Sequence, residues 1–143
     1  MVIEITSLVE ADPFLDYIVE SVNKIKDICP VGAVEPEKVL RTIRKSLGKS
    51  FFGLFILAEK EPQGLLSVIE TRNLYDELEA HVWQVNCEKG GNIEELVDAG
   101  EQWCWARGIK EISACNMVLT KAKRRWLKRR GFEFYAESYR RTL

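Results

Sequence analysis

The sequence has no apolar run that approaches the ~20 residues of a membrane-spanning helix, which excludes a membrane-spanning role. It also lacks a Cys-x-x-Cys pair, because its cysteines are scattered at Cys29, Cys87, Cys104 and Cys115. Each of them lies in or beside an apolar run. This pattern is typical of reduced core residues, not of a disulfide or zinc framework, and we expect no metal site.

A strong charge of either sign is also absent, since the formal net charge is −1. This balance does not favour a general nucleic-acid binder. The first 14 residues place acids where a secretory signal would carry a basic region and an apolar core. We therefore expect a cytoplasmic protein with no membrane partner. The exception to the balance is KAKRRWLKRR (121–130), a local positive patch that suits a solvated helix face, a phosphate contact or, less well, nucleic acid.

The first half of the chain predicts one strand followed by two helices. Residues 2–8 alternate apolar and polar side chains, as in a half-buried strand. Asp12 followed by Pro13 is typical of a helix start. The apolar positions Phe14, Ile18, Val22 and Ile25 then repeat at helical spacing. A second helix is predicted from Glu35-Pro36 to Gly48.

The second half predicts a hairpin and then alternating strands and helices. In the strand at 80–87, Val82 and Val85 are too close in sequence for a regular alternation of apolar and polar side chains. This irregularity indicates a β-bulge. The predicted order is β-α-α-β-β-β-α-β-α-β, in a single α+β domain over residues 1–143. The predicted elements are hairpin strands at 51–59 and 64–72, a strand at 80–87, a helix from 93 to Gly108, a strand at 110–117, a basic helix from Thr120 to Gly131 and a last strand from Phe132.

A glycine pair, KGGN (89–92), separates the strand at 80–87 from the helix that follows. Helix N-termini present unpaired N–H groups to an anion, and glycine lets a phosphate approach the backbone. The same letters equally suit a plain turn with Asn92 as the N-cap. The sequence leaves both interpretations open.

Two stretches near the C-terminus resemble a known superfamily: EQWCWARGIKEISACN (101–116) and RRWLKRRGFEFY (124–135). They are similar to the second half of the GNAT acyl-CoA-dependent N-acetyltransferases, and the order of elements agrees over the whole chain. The resemblance implies a GNAT-like fold with a splayed mixed sheet of six to seven strands and about four helices. The sheet would open between the strands at 80–87 and 110–117.

The same resemblance implies that acetyl-CoA binds in this opening as the co-substrate. Its pantetheine arm would hydrogen-bond the backbone of the strand at 80–87, and its pyrophosphate would lie on the glycine loop. Asn116 would contact the arm or the acceptor. The implied binding residues are Trp83, Gln84, Val85, Lys89, Gly90, Gly91, Asn92, Ile93, Asn116, Lys123 and Arg124.

The glycine loop departs from the pattern of the superfamily. That pattern has glutamine or arginine, then glycine three residues later, then glycine or alanine two residues beyond. Here the three positions hold Glu88, Gly91 and Ile93, so only the central glycine matches. A carboxylate at position 88 would repel phosphates by about 1 kcal/mol per charge pair at ~4 Å in water, unless it points away.

The sequence offers several candidates for the general acid and for the general base. Leu127 stands where many GNAT enzymes carry a tyrosine that protonates the departing thiolate, which leaves Tyr135, Ser138, Tyr139 or water as the acid. A general base must accept the proton of an ammonium group. Its candidates are Glu70, Glu77, Glu79 and the single histidine, His81, of which Glu79 and His81 are preferred.

The resemblance implies transfer of an acetyl group from acetyl-CoA to a primary amine of a small molecule or a protein. Similar departures in the loop and the tyrosine occur in small GNAT proteins, many of them phage-encoded. The alternative is therefore a catalytically inactive interaction protein of the same fold, in the host cytoplasm or a virion. The sequence does not identify the acceptor or the oligomeric state.

Overall fold

The computed structural model describes residues 1–28, 35–114 and 121–134. Within them, the chain forms a five-stranded mixed sheet whose spatial order equals its order in the sequence. Neighbouring strands are antiparallel from β1 to β4, and β5 is parallel to β4. The strands are β1 (Val2–Glu4), β2 (Phe52–Ala58), β3 (Pro62–Arg72), β4 (Leu78–Cys87) and β5 (Ile112–Ala114).

The first helix begins earlier than the sequence predicts. Ser7 caps the first helix, because its side-chain oxygen accepts a hydrogen bond from the backbone N–H of Glu10. Asp12 and Pro13 lie in a following 3-10 turn, so the prediction of Asp12 as the helix start was wrong. The helices are α1 (Leu8–Ala11), α2 (Leu15–Ile28), α3 (Pro36–Ser46), α4 (Ile93–Ala106) and α5 (Lys121–Arg129).

The sheet has helices on both faces. Ile18 and Val22 of α2 and Ile43 of α3 are buried against one face, which we call the α2 face. Leu96 and Trp103 of α4 are buried against the other, which we call the α4 face. Every residue of β2 is buried. An unbroken apolar run instead of an alternating one is what a strand covered on both faces requires.

The predicted bulge in β4 is confirmed. Ser67 of β3 pairs with Gln84, but the next residue, Val68, pairs with Val82. Trp83 is therefore an extra residue in β4, and its ring packs edge-on against Phe52 on the α2 face, with centroids 6.3 Å apart. A bulge leaves the extra residue outside the regular hydrogen-bond ladder.

The order of elements agrees with the prediction as far as α5, apart from the additional α1. Phe132–Phe134 are not in a strand, and the remainder of the predicted last strand, 135–143, lies outside the described residues. A sixth or seventh strand therefore stays a prediction. In the described part of the chain, no helix is both long and apolar enough to cross a membrane.

Candidate functional site

The strands β4 and β5 pair in parallel over three residues each, and we call this pairing the β4–β5 seam. The pairs are Ala80–Ile112, His81–Ser113 and Val82–Ala114. Beyond Val82, residues 83–87 have no partner strand on this edge within the described ranges. Because side chains alternate along a strand, His81 and Ser113 lie on the α2 face, whereas their neighbours along each strand line the α4 face.

On the α4 face, the seam opens into an apolar cleft between the sheet, α4 and α5. The cleft is narrow and partly open to solvent, with a cavity volume of about 40 Å³. Leu127 is in its wall, so an aliphatic side chain stands where the resemblance would put a tyrosine. The lining residues are Leu66, Val82, Val85, Ile93, Val97, Ile112, Ala114, Trp126, Leu127 and Phe132.

The outer wall of the cleft is held by an ionic clamp between α4 and α5. Trp126 Nε1 donates to Glu94 Oε1 at 2.6 Å, and Arg130 donates to Glu94 Oε2 at 2.9 Å. Arg130 also donates to Asp98 and Glu101, each at 2.9 Å. The three acids share one side of α4 because their spacing is four and then three residues. Sequence reasoning missed this clamp, although that spacing was its signal.

On the α2 face, three polar side chains meet at the seam. His81 Nδ1 contacts Ser113 Oγ, and His81 Nε2 lies 4.0 Å from Glu79 Oε2. The side chains of His81 and Glu79 are 38% and 26% exposed, so a molecule from solvent can reach them. The structure therefore brings together the two preferred base candidates. It adds Ser113, which the sequence alone did not indicate because the register of β4 and β5 was not known.

Glu79 is supported by the β3–β4 hairpin. Asn73 Nδ2 donates to Glu79 Oε1 at 3.0 Å. Asn73 Oδ1 accepts from the backbone N–H groups of Tyr75 and Glu77 at 2.9 and 3.0 Å, which fixes the turn. One asparagine thus organises the turn and orients the candidate base.

The two remaining base candidates are placed elsewhere. Glu77 is exposed within the hairpin turn, where it accepts a hydrogen bond from Asn73 at 3.3 Å. Glu70 pairs with Ala80, whose side chain packs in the core of the α4 face. Residues paired across antiparallel strands point to the same face, so Glu70 lies opposite to Glu79 and His81. The structure does not bring Glu70 or Glu77 to the seam.

Glu88 points towards the α2 face, away from α4. Its carboxylate accepts from Lys24 Nζ of α2 at 2.7 Å and from Asn86 Nδ2 at 3.3 Å. Lys24 lowers the pKa of Glu88, and Glu88 in turn raises the pKa of Lys24. The carboxylate that would oppose a phosphate is thus paired with a cation, which reduces its repulsion.

The glycine loop itself is a well-formed turn. Asn92 caps α4, since its side chain accepts from Glu94 N at 3.2 Å and its carbonyl accepts from Glu95 N at 3.2 Å. A Cβ at residue 91 would lie 2.8 Å from Cys87 Sγ and 3.2 Å from the carbonyl oxygens of Gln63 and Glu88, so packing within the turn favours glycine at this position. The turn interpretation therefore explains Gly91 and Asn92 without an anion. Lys89 and Gly90 are exposed at the tip of the loop.

The remaining predicted CoA residues are distributed as follows. Gln84 is buried, and its Oε1 has no hydrogen-bond partner within the described part of the chain. Val85 and Ile93 line the apolar cleft. Lys123 and Arg124 are exposed on α5. Asn116 and Tyr135 lie outside the described residues, as do Ser138 and Tyr139. All of these assignments stay predictions.

The four cysteines were predicted to be reduced core residues, and two of them lie in the described part of the chain. Cys87 and Cys104 are free thiols, half-buried and buried respectively, as expected of core residues. Cys29 and Cys115 lie outside the described residues. Over residues 1–28, 35–114 and 121–134, no group of three or more potential ligands stands close enough to hold a metal ion.

No protein-family model and no curated protein matches the sequence. Solved structures do match the fold. A predicted acetyltransferase with acetyl-CoA from Clostridium acetobutylicum has a TM-score of 0.71 at 14% identity, over 99% of this chain and 96% of its own. An aminoglycoside acetyltransferase from an uncultured soil metagenomic sample has a TM-score of 0.74 at 11% identity, over 100% and 97%.

A third structure extends the comparison to a plant enzyme. Glucosamine-6-phosphate N-acetyltransferase from Arabidopsis thaliana has a TM-score of 0.68 at 10% identity, and the match covers 99% of this chain and 98% of that one. Identities this low establish the fold and nothing finer. The chain has the fold of the GNAT acetyltransferases.

Proposed function

We propose that a protein with this GNAT fold and this seam transfers an acetyl group from acetyl-CoA to a primary amine of a small molecule or a protein. The observation that carries the proposal is the β4–β5 seam, with an apolar cleft on the α4 face and the pair Glu79 and His81 on the α2 face. Donor and acceptor would approach from opposite faces and meet beyond Val82, where β4 has no partner strand within the described residues.

The donor side uses the edge of β4 beyond Val82, which is unpaired as far as the described residues show. The backbone of Trp83, Gln84 and Val85 would pair with the pantetheine arm as an added strand would, and the bulge at Trp83 supplies backbone groups outside the ladder. N–H groups of this strand would polarise the thioester carbonyl. Lys89 and the N-terminus of α4 would face the pyrophosphate, with Lys123 and Arg124 as further phosphate contacts.

The acceptor side uses Glu79 and His81. An amine arrives as an ammonium ion, and it must lose a proton before its lone pair can attack the thioester carbon. Glu79 would hold the ammonium group while His81 accepts the proton. Nitrogen then bonds to the acyl carbon, the carbon–sulfur bond breaks, and the CoA thiolate leaves.

The thiolate needs little help to depart. A thiol has a pKa of about 8.5, so its anion is a stable leaving group near neutral pH. This explains how Leu127 can occupy the wall of the cleft without preventing the reaction. The proton that the new amide nitrogen loses would reach the thiolate through water or Tyr135.

A panel of amines tests this function directly. Wild-type protein is incubated with acetyl-CoA and an amino sugar, a polyamine, a lysine peptide or a peptide with a free N-terminus, and acetylated product is detected by mass spectrometry. We expect E79Q/H81Q to lose roughly 100-fold or more in rate, because a general base contributes roughly 10²–10⁴-fold. Equal rates for wild type and the double variant would contradict the assignment.

The loop is tested separately by Lys89→Glu, with Lys45→Glu on α3 as the matched control. Both lysines are exposed, but only Lys89 lies at the tip of the glycine loop. Reversing the charge at 89 should weaken acetyl-CoA by roughly 5- to 30-fold, because each charge pair is worth about 1 kcal/mol or more. If both variants bind acetyl-CoA equally, the loop does not contact phosphate.

One observation favours a second candidate, a catalytically inactive interaction protein of the same fold. The N-terminus of α4 already has two N–H groups bonded to Asn92 and carries Glu94 and Glu95 in its first turn. Acids near a helix N-terminus use the same dipole that a phosphate would use. In that case acetyl-CoA should fail to bind, while the fold and the ionic clamp remain intact.

A further inference from the structure

The ring of His81 is held between two different groups on the α2 face. Its Nδ1 contacts Ser113 Oγ on β5, and its Nε2 faces Glu79 Oε2 at 4.0 Å. Residues 81 and 113 are register partners, so the serine contact is set by the pairing of β4 with β5. Glu79 is set independently by its hydrogen bond from Asn73.

These contacts leave two arrangements of the neutral ring, because a neutral imidazole carries a hydrogen on one nitrogen and a lone pair on the other, and a serine hydroxyl can donate or accept. If Nε2 carries the hydrogen, the Ser113 hydroxyl donates to Nδ1 and the Nε2–H group faces Glu79, but 4.0 Å is too long for a direct hydrogen bond. If Nδ1 carries it, the Ser113 oxygen accepts it, and the Nε2 lone pair faces the carboxylate.

When Nδ1 carries the hydrogen, His81 Nε2 and Glu79 Oε2 are two acceptors that one donor can share. A donor nitrogen about 2.9 Å from each of them would see the two acceptors at an angle of about 90°. An ammonium ion can meet this angle with modestly bent hydrogen bonds from two of its N–H groups. The 4.0 Å gap between Glu79 and His81 therefore fits one ammonium nitrogen. Both side chains are exposed enough for it to enter.

We propose that Ser113 is a positioning residue that holds His81 in the Nδ1–H tautomer, so that Nε2 and the Glu79 carboxylate together receive the ammonium group of the acceptor. The inference rests on the proposed acetyl transfer. The ammonium gives a proton to Nε2, the resulting imidazolium lies between Ser113 and Glu79, and the neutral amine attacks the thioester. Ser113 touches neither substrate nor the reacting atoms.

The composition makes this testable without resonance assignment. The chain contains one histidine, so every imidazole signal of the tag-free protein belongs to His81. Two-bond ¹H–¹⁵N spectra of the neutral ring distinguish a protonated nitrogen from one that carries a lone pair. We expect Nδ1 to be protonated in wild type, a loss of this preference in S113A, and its retention in S113T. A neutral wild-type ring protonated at Nε2 would overturn the proposal.

Kinetics provide the second readout, with Ser50→Ala at an exposed serine as the matched control. S113A should lower kcat roughly 10- to 100-fold with an unchanged KM for acetyl-CoA, because a misplaced base costs rate more than binding. S113T should recover most of the rate. Activity of S113A equal to that of S50A would contradict the role.

The two readouts separate the inference from the proposed function. If acetyl-CoA does not bind, the acetyltransferase proposal fails, while the spectra of wild type and S113A still decide the tautomer. If transfer occurs but the ring is protonated at Nε2, the function stands and the role of Ser113 is refuted. Thermal unfolding of each variant shows whether a loss arises from misfolding.

Discussion

Arg130 connects α5 to α4, and replacing it with methionine should destabilise the wall of the apolar cleft. The side chain of Arg130 is 19% exposed, and its guanidinium contacts Glu94, Asp98 and Glu101, each at 2.9 Å. Methionine keeps most of the apolar stem but leaves three carboxylates on one side of α4 without their shared cation. The loss therefore measures the ionic clamp and not the packing.

The magnitude follows from the exposure of the partners. The carboxylates are 46%, 54% and 23% exposed, so each pair is closer to a surface ion pair, worth about 0.2–1 kcal/mol, than to a buried one. Three pairs together give about 2 kcal/mol. For a chain of this size that corresponds to a fall in Tm of roughly 4–8 °C.

The assay is thermal unfolding followed by circular dichroism, with Arg125→Met as the matched control. Arg125 is an exposed arginine in the middle of α5, the helix that Arg130 directly follows. We expect its replacement to change Tm by less than about 2 °C, as at most surface positions. If R130M unfolds at the same temperature as R125M, the clamp does not hold α5 against α4. High salt should reduce the difference between the two variants.

Three further predictions concern stability and reactivity. Gly100→Val should cost about 1–3 kcal/mol in chemical denaturation, since a Cβ there would lie 2.8 Å from Leu66 Cδ2; wild-type stability would contradict the close packing. Burial raises the pKa of Cys104 to about 11, so it should resist alkylation at pH 8 until the protein unfolds, and rapid labelling of the folded protein would refute this. Lys24 lowers the pKa of Glu88, so Glu88→Gln should reduce Tm at pH 6, and the difference should shrink and then vanish as the pH falls below the ordinary glutamate range and through the lowered pKa; a pH-independent difference would refute this.

The fold was predictable because local patterns agreed with each other. The apolar run of β2, the helical stripe of α4 and the irregular spacing of Val82 and Val85 each have one simple structural explanation, and the structure contains all three. The start of the first helix was not predictable with the same rules. Ser7 and Asp12 are both good caps, and only the three-dimensional path shows that Ser7 is used.

The site was predictable only in part, because it depends on register and on long-range pairs. Glu79 and His81 were indicated by residue type, but Ser113 became visible only when β4 and β5 were paired. The direction of Glu88 was set by Lys24, 64 positions away in the chain. No short sequence pattern contains such a contact. The role of the glycine loop is therefore a question for ligand binding.

Calorimetric binding of acetyl-CoA to the wild-type chain tests the central claim most directly. Acetyl-CoA at 100 times its Kd should add about 2.7 kcal/mol of stability, so saturation should also raise Tm, by roughly 5–10 °C for a chain of this size. We predict heat with a stoichiometry of one per chain, and weaker binding by Lys89→Glu than by Lys45→Glu. Absence of heat and of any Tm shift at millimolar acetyl-CoA would contradict the acetyltransferase account and favour the inactive interaction protein.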